Sequence, residues 1–528
     1  MRKPEYKPLL YTTTVRNPAR VKALLCILQQ YNQQELTDNL AKDIVANLIR
    51  HGLYRPLNAS EQVKEKWASS NKGSFARELL TLEEVERLMI DNPQNHKEAG
   101  FTKGWASRFA TIFDFAKELG FVFYNINERI EFSDNGKRLA SSFEVSYDNN
   151  LIIENSVHPE YEQEAFLQAF VKSQRKNPFV RVLNDNVPLV LLLQVLKRLN
   201  DNKDNLTKDG KTKGISRREL PLLIFWKDND ADALYKRIMR LRKEFGYEPS
   251  DEVICEICTN EIMEGFKEFK AKSIMVEYPD EFIRKMRITG LFSLRGGGRF
   301  LDVNYNEKQK IDYILANYSH YQQYDDAYEY FNYMATTDPY LQSASVVIER
   351  KQAEILLQQW LLVFGWEKIK AELSILSNRG KSKDEILKLL PAPVRLEFLA
   401  ALGIKAQFPN ISVIPSYSCD DEGLPTSTAA GGKADIVCVE GSNGILIEVT
   451  MAEGRRQTIM EVWPISRHLE EFIKEVKLPS QAIFIAPAIF KDSLRQIDFV
   501  KSTESLEIRP YEIKDFVSFL EYSDILYQ

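Results

Sequence analysis

Two neighbouring runs in the last quarter of the chain each place one acid in a segment that favours β-structure. These runs are ADIVCVE, residues 434–440, and ILIEVT, residues 445–450, and they flank the turn-prone GSNG. The pattern predicts an antiparallel hairpin with Asp435 on one strand and Glu448 on the other. A carboxylate on a half-buried strand needs a partner, and a metal ion is a suitable partner for clustered carboxylates.

Two further acids can reach the same place. Side chains alternate across a strand, so Asp435 and Glu448 converge at one end of the sheet if the register aligns their faces. Glu397 and Glu461 lie on predicted helices before and after the hairpin. The four acids would surround a metal from two helices and a hairpin. A set of oxygen ligands without His or Cys favours Mg²⁺ or Mn²⁺ over zinc.

A divalent ion held by carboxylates is suited to phosphodiester hydrolysis. The ion would polarise a phosphoryl oxygen and lower the pKa of a bound water, which attacks phosphorus in line with the leaving oxygen. The competing interpretation is chance, because an Asp and a Glu 13 residues apart on two strands occur in many proteins. Evidence for a nucleic-acid substrate must therefore come from the rest of the chain.

Composition places the chain among ordinary globular proteins of several domains. It has 528 residues, 44% hydrophobic and 27% charged, with a net charge of −5. The sequence contains no apolar run of membrane-spanning length and its first residues lack a secretion signal, so we expect a cytoplasmic location and no membrane partner. Five scattered cysteines argue against a disulfide framework. Cys255 and Cys258 leave zinc as a minor alternative to simple buried cysteines.

Basic helices recur in the first 300 residues. A predicted helix from about 104 to 119, followed by two short strands, is typical of a winged helix. A second unit carries Arg217 near a helix start, and a third ends in the turn RGGGR, residues 295–299. One basic helix is usually a solvated face, but three such units favour nucleic-acid binding. The candidate DNA contacts are Arg16, Arg20, Lys103, Arg108, Arg217, Arg284, Arg287, Arg295 and Arg299.

The order of these patterns predicts a multidomain α/β protein. Two winged-helix-like DNA-recognition subdomains are expected at 1–150 and 151–304. A tyrosine-rich helical linker follows at 305–345. Residues 346–528 alternate helix and strand patterns and are predicted to form the catalytic domain, with a small mixed sheet flanked by helices.

The sequence resembles the AlwI/MlyI-like group of type IIS restriction and nicking endonucleases, within the PD-(D/E)xK nuclease superfamily. The resembling segments, in chain order, are TTTVRNPAR, GWASRFATIFDFAKELGFV, FIRKMRITGLFSLRGGGRFLDVN, PVRLEFLAALG, KADIVCVE, ILIEVTMAEGRRQ and EVWPISRH. The resemblance implies an N-terminal recognition region and a C-terminal PD-(D/E)xK core. It also implies a Mg²⁺-dependent enzyme that binds a short asymmetric duplex site and cuts a few bases outside it.

The same resemblance assigns roles to the acids. Asp435 stands at the metal-binding Asp and Glu448 at the Glu of the ExK-like motif, while Glu397 and Glu461 match additional acids from flanking helices. Asp435, Glu448 and Glu461 are therefore expected to hold the metal. Thr450 stands where the general motif has Lys and cannot supply a positive charge. Candidates for that charge are Lys433, Arg455 and Arg456.

Three functions remain open at this stage. The first is a sequence-specific Mg²⁺-dependent DNA endonuclease, with Mn²⁺ as a substitute ion. The alternatives are a DNA-binding protein with an inactive nuclease fold and a repair-type nuclease of broad specificity. One acidic cluster per chain predicts nicking, so double-strand cleavage would need a second copy or a small catalytic subunit. His468 is expected to be structural rather than a catalytic base.

Overall fold

The computed structural model describes residues 4–11, 15, 18–68, 77–98, 100–205, 213–342, 350–452, 454 and 457–528. The chain divides into two compact units. Unit 1 comprises Met1–Ala59, Leu80–Glu144 and Asn155–Ser345, and unit 2 comprises Ser60–Leu79, Val145–Glu154 and Val346–Gln528. The predicted mixture of helices and sheets is confirmed. The four-part division into domains stays a prediction.

Helices dominate the secondary structure. The α-helices are α1 Pro18–Gln29, α2 Asp38–Arg50, α3 Glu61–Ala68, α4 Leu82–Asp91, α5 Trp105–Glu118, α6 Asp134–Ser141, α7 Pro159–Lys172, α8 Pro188–Asp201, α9 Leu220–Phe225, α10 Ala231–Phe245, α11 Asp251–Glu256, α12 Tyr278–Arg287, α13 Lys308–Asn317, α14 Ala327–Ala335, α15 Arg350–Ser377, α16 Ala392–Gln407, α17 Trp463–Val476, α18 Lys491–Glu504 and α19 Ile513–Tyr522. Short 3₁₀ segments are Lys203–Asn205, Tyr305–Glu307, Pro339–Gln342 and Leu387–Leu389. Short π-helical segments are Ile257–Ile262, Ser273–Glu277 and Thr458–Val462.

The strands are short. They are β1 Arg77–Glu78, β2 Val122–Phe123, β3 Glu131–Phe132, β4 Phe143–Asp148, β5 Leu151–Ser156, β6 Ile215–Ser216, β7 Phe292–Arg295, β8 Phe300–Val303, β9 Ser412–Pro415, β10 Tyr417–Cys419, β11 Pro425–Ala429, β12 Ile436–Glu440, β13 Asn443–Val449, β14 Ser480–Ala486 and β15 Ile508–Glu512.

Two basic segments of unit 1 have the predicted order of elements. The helix expected at 104–119 is α5, and it is followed by the antiparallel pair β2 and β3. In the third basic unit, α12 precedes the antiparallel pair β7 and β8. The turn between β7 and β8 contains three consecutive glycines with positive φ, a conformation that other residues rarely adopt. Assignment of these segments as winged helices stays a prediction.

A five-stranded mixed sheet forms the centre of unit 2. Its order is β15-β14-β13-β12-β9, with β13 to β15 parallel and with β12 antiparallel to both β13 and β9. Leu446, Phe484 and Ile508 on one face pack against Leu469 of α17 and Val500 of α18. On the other side, α16 packs on β9 and β13 and contacts α15 and α19. The sheet edge that carries the acids therefore lies in a buried α/β framework.

Two negative findings apply to the part of the chain with coordinates. No helix within it is both long and apolar enough to cross a bilayer. Nor does it contain a group of three or more His, Cys, Asp or Glu side chains spaced to hold a metal ion. All five cysteines are free thiols. Zinc binding at Cys255 and Cys258 consequently gains no support.

Candidate active site

The hairpin brings the two strand acids together. Strands β12 and β13 are joined by the two-residue loop of Gly441 and Ser442, and Val437 pairs with Leu446 while Ile436 pairs with Ile447. Continuing this register by one residue places Asp435 opposite Glu448 on the same face. The Val449 amide donates to Asp435 Oδ2 at 2.7 Å. The convergence predicted from strand alternation is thus present in the structure.

Glu448 contacts a histidine on the covering helix. His468 of α17 lies with Nδ1 2.8 Å from Glu448 Oε1, and both side chains are nearly buried. Burial lowers the pKa of His468, so the imidazole is neutral near pH 7. From the sequence, His468 was expected to be structural. In the structure it contacts a predicted metal ligand and is placed to fix the orientation of that carboxylate.

Thr450 and Glu461 form a second pair at the same edge. Thr450 Oγ1 donates to Glu461 Oε1 at 2.9 Å and accepts from the Ala452 amide at 2.9 Å. Glu461 lies in the π-helical segment that immediately precedes α17, and such segments often occur at functional sites. At the position where the resemblance leads one to expect Lys, this chain therefore has a hydroxyl that orients a neighbouring acid.

Glu397 approaches from α16. It is buried, and its Oε2 accepts from the Ala429 amide of β11 at 3.0 Å. Each of the four acids consequently has one oxygen engaged by a protein donor or by His468. These contacts fix the carboxylates in place and restrict their rotation.

Burial, followed by repulsion between the acids, dominates the electrostatics of the cluster. Burial, and next the charge of Glu448, raise the pKa of Asp435 well above its usual range. Burial and then Glu461 raise the pKa of Glu448, and burial and then Asp435 raise the pKa of Glu397. Buried carboxylates that repel one another are stabilised by protons or by a cation. The donor set suits a hard divalent ion, but the described residues form no ready-made three-ligand cage.

The candidates for the missing positive charge have different positions. Lys433 is exposed just before β12. Arg455 and Arg456 lie outside the described residues. Residues 379–383 form a different basic segment near this edge, which was not predicted as part of the site because it lies more than 50 residues before the hairpin in the chain.

The candidate DNA contacts of unit 1 fall into two groups. Arg20, Lys103 and Arg299 are exposed, and Arg284 is half-buried on α12. Arg20 donates to the Leu53 carbonyl. These residues retain surface that DNA could reach, whereas Arg16 lies outside the described residues.

The remaining candidates are engaged within the fold. Arg108 donates through Nε to Gln94 Oε1 at 3.1 Å, and Arg217 forms an ion pair with Asp280. Arg287 is buried and donates to the Phe292 carbonyl at 3.2 Å. Arg295 is also buried, 3.1 Å from Asp302. Arg287 and Arg295 therefore lie in the interior of the fold, and their role as DNA contacts stays a prediction.

A family model and several solved structures match the chain. The family model of the AlwI restriction endonuclease matches residues 117–383 and 365–519. No curated protein matches the chain. Among solved structures, the small subunit (R.BspD6I2) of the heterodimeric restriction endonuclease R.BspD6I is 23% identical with a TM-score of 0.25, covering 29% of this chain and 76% of that chain.

Two structures of the restriction endonuclease FokI match at greater length. The first is 12% identical with a TM-score of 0.24, covering 100% of this chain and 98% of that chain. The second, bound to DNA, is 13% identical with a TM-score of 0.23, covering 96% of this chain and 94% of that chain. TM-scores this low do not define a shared fold. The family match spans well over half of the chain and includes all four acids, so the chain belongs to the AlwI restriction endonuclease family.

Proposed function

We propose that this chain is a Mg²⁺-dependent type IIS endonuclease that binds a short asymmetric duplex site and hydrolyses a phosphodiester a few bases away. The observation that carries the proposal is the convergence of Glu397, Asp435, Glu448 and Glu461 at one sheet edge in a member of a restriction endonuclease family. Mn²⁺ is expected to substitute for Mg²⁺ because both prefer oxygen ligands. The expected location is the cytoplasm.

The proposed mechanism assigns a task to each side chain. Asp435, Glu448 and Glu461 would hold the ion, which when bound supplies a Lewis acid and lowers the pKa of water. His468 holds Glu448 through the 2.8 Å contact, and Thr450 holds Glu461 through the 2.9 Å hydrogen bond. Glu397 would take part from the opposite helix, as a carboxylate that orients the attacking water. Neighbouring contacts of this kind usually tune metal affinity.

Binding of the recognition site is proposed to reside in unit 1. Lys103, Arg20, Arg284 and Arg299 would contact DNA phosphates, together with Arg16 outside the described residues. Arg108 and Arg217 would have to exchange a protein partner for a phosphate. Such contacts orient a protein on the duplex without reading its sequence.

One chain carries one acidic cluster, so we propose that a lone chain nicks one strand. Recognition of an asymmetric sequence requires no two-fold dimer. Cleavage of both strands would then use a second copy of the chain or a small catalytic subunit that brings its own site.

Cleavage of supercoiled plasmid tests this proposal. Protein at low concentration with Mg²⁺ should produce nicked circles before linear DNA, and sequencing of the ends should give one offset from one short motif. Mn²⁺ should replace Mg²⁺, and chelation should stop the reaction. Cuts at unrelated sequences would contradict site specificity, and direct linearisation by a monomer would contradict nicking.

A DNA-binding protein with an inactive nuclease fold is the second candidate. The observation that favours it is the lack, within the described ranges, of three ligands spaced for a metal. Site-specific binding without cleavage at any Mg²⁺ or Mn²⁺ concentration would support this candidate.

A further inference from the structure

The loop between α15 and α16 lies at the acidic edge of unit 2. Its residues 379–383 have the sequence RGKSK and are called the basic loop here. Arg379 donates to the Met451 carbonyl at 3.3 Å, one residue after Thr450. Arg395 of α16 donates to the Gly380 carbonyl at 3.2 Å, two residues before Glu397. The basic loop is therefore attached to two elements that carry site residues.

Arg379 occupies a position that usually belongs to glycine. The Gly380 amide bonds to the Ile375 carbonyl at 2.7 Å and the Arg379 amide to the Leu376 carbonyl at 2.9 Å, which is the Schellman ending of a helix. Arg379 has φ 54°. A side chain in this left-handed region costs about 1 kcal/mol relative to glycine. A residue held in such a conformation beside a site suggests a functional reason for its side chain.

The two lysines of the basic loop face solvent on an ordered backbone. Lys381 and Lys383 are exposed, and neither forms an ion pair with any residue that the structure describes. Between them, Ser382 donates to Glu372 Oε1 at 2.9 Å and accepts from the Asp384 amide at 3.1 Å. The adjacent Asp384 is neutralised by Lys368. The loop thus presents net positive charge to solvent.

An acidic cluster that cuts DNA must overcome its repulsion of the phosphate backbone. Bound metal offsets part of that charge, and cations around the site offset more. Thr450 replaces the Lys that would contribute one such cation. The basic loop is a described segment beside the cluster that supplies several.

We propose that the basic loop is a phosphate clamp that holds the DNA backbone next to the cleaved bond. This inference rests on the proposed nuclease function and deepens it by naming a DNA contact within unit 2. Lys381 and Lys383 act as point charges on phosphates flanking the cut. Arg379 fixes the loop to the segment after Thr450.

The first test compares two duplexes that both contain the recognition site. One ends before the mapped cut and the other extends past it. The double variant Lys381→Ala/Lys383→Ala should bind the long duplex about tenfold more weakly than wild type, with a salt slope smaller by about 2 because two phosphate contacts are lost. Its affinity for the short duplex should be unchanged. Equal losses on both duplexes, or no loss, would overturn the clamp.

The second test separates charge from backbone strain. Arg379→Gly removes the guanidinium and relieves the left-handed conformation, so its thermal midpoint should equal or exceed wild type while cleavage falls about tenfold or more. Lys477→Gly is the matched control, because Lys477 ends α17 with φ 53° and lies at the opposite end of the sheet, near the start of β14. The control should cleave at the wild-type rate.

The outcomes distinguish the two proposals. Wild-type protein that neither binds nor cuts DNA would overturn the nuclease function and the clamp together. The clamp alone would be overturned by a different set of results. In that set the wild-type protein cuts DNA, Arg379→Gly cleaves at the wild-type rate, and the lysine variant binds the long duplex with wild-type affinity.

Discussion

Buried charge is arranged in opposite ways at two places in the molecule, one in each unit. At the place in unit 1, two buried arginines have acidic partners: Arg242 lies 2.6 Å from Glu219, and Arg295 lies 3.1 Å from Asp302. At the place in unit 2, Glu397 and Glu448 are buried and Asp435 is partly buried beside other acids, and the pKa values of these three are raised by burial and by their acidic neighbours.

The difference separates structural charge from functional charge. A buried pair satisfies its own electrostatics, and its removal leaves one charge uncompensated. A buried group of like charges is destabilising until protons or a cation bind, and such groups concentrate at functional sites. The following predictions test this distinction, from the largest expected effect to the smallest.

Replacement of the central acids should abolish cleavage without loss of stability. Asp435→Asn or Glu448→Gln should reduce cleavage at least about 10³-fold, because each removes a proposed metal ligand. Thermal unfolding without metal should occur at the same temperature as in wild type or higher, since repulsion is relieved. Site-specific binding should persist or tighten.

A control for these variants exists on the same strand. Glu440 lies at the far end of β12, where its carboxylate accepts from the Leu526 and Tyr527 amides. Glu440→Gln keeps an acceptor and should cleave normally. Near wild-type cleavage by Asp435→Asn would contradict the metal assignment.

Breaking a buried pair of unit 1 should have the reverse outcome. Arg242→Met leaves Glu219 buried without its partner and should lower the free energy of unfolding by about 3–5 kcal/mol. Chemical denaturation measures the change. Arg218→Met is the control, because Arg218 is partly exposed, 3.2 Å from Glu248, and should cost less than about 1 kcal/mol. Equal losses of unfolding free energy in both variants would contradict the expected difference between a buried ion pair and a partly exposed one.

The hydroxyl of Thr450 should matter more than its size. Thr450→Val removes the hydrogen bond to Glu461 and should reduce cleavage or metal affinity about 10-fold to 100-fold, the usual range for groups that orient metal ligands. Thr450→Ser keeps the hydroxyl and should restore most of the activity. Titration of Mg²⁺ against the cleavage rate would separate affinity from turnover, and equal rates for Val and Ser would exclude this role.

The smallest effect is expected from an acid of unit 1. Asp114 accepts from the Tyr124 hydroxyl at 3.0 Å, and burial followed by Glu118 raises its pKa from 3.8 to about 7. Between these values the folded state binds a proton that the unfolded state lacks, so stability falls as pH rises. Asp114→Asn should flatten this fall, which we expect to be on the order of 1 kcal/mol after screening. Calorimetry of both proteins at about pH 5 and about pH 7 measures the change in stability with pH. An identical change in the wild type and in Asp114→Asn would contradict the prediction.

The sequence pattern was sufficient to predict local secondary structure and the proximity of the two acids of the hairpin. Alternation in β12 and β13, with a Gly-Ser loop between them, defines a register that must place Asp435 near Glu448. The helix carrying Glu397 and the order α5, β2, β3 followed from apolar spacing and from Gly120. These features depend on neighbours in the chain, which a sequence displays directly.

The burial of charged residues, and contacts between residues distant in the chain, could not be predicted from the same patterns. Arg287 and Arg295 were predicted to be surface cations because the sequence does not show which residue a charged side chain contacts in the folded protein. His468 lies 20 residues after Glu448, and only the packing of α17 on the sheet brings them together. Arg379 was missed because its role depends on a helix ending that normally has glycine.

The tight loop between β12 and β13 also bears on how the chain folds. Only two residues separate these strands, so the hairpin can close within microseconds, long before the more distant strands β14 and β15 must pair with it. Asp435 and Glu448 then first meet in water, which screens their repulsion. In this order of events the unfavourable step would come when α17 packs over the hairpin, where Leu469 meets Leu446. We therefore expect refolding of unit 2 to accelerate at acidic pH, where protonated acids make that late step cheaper.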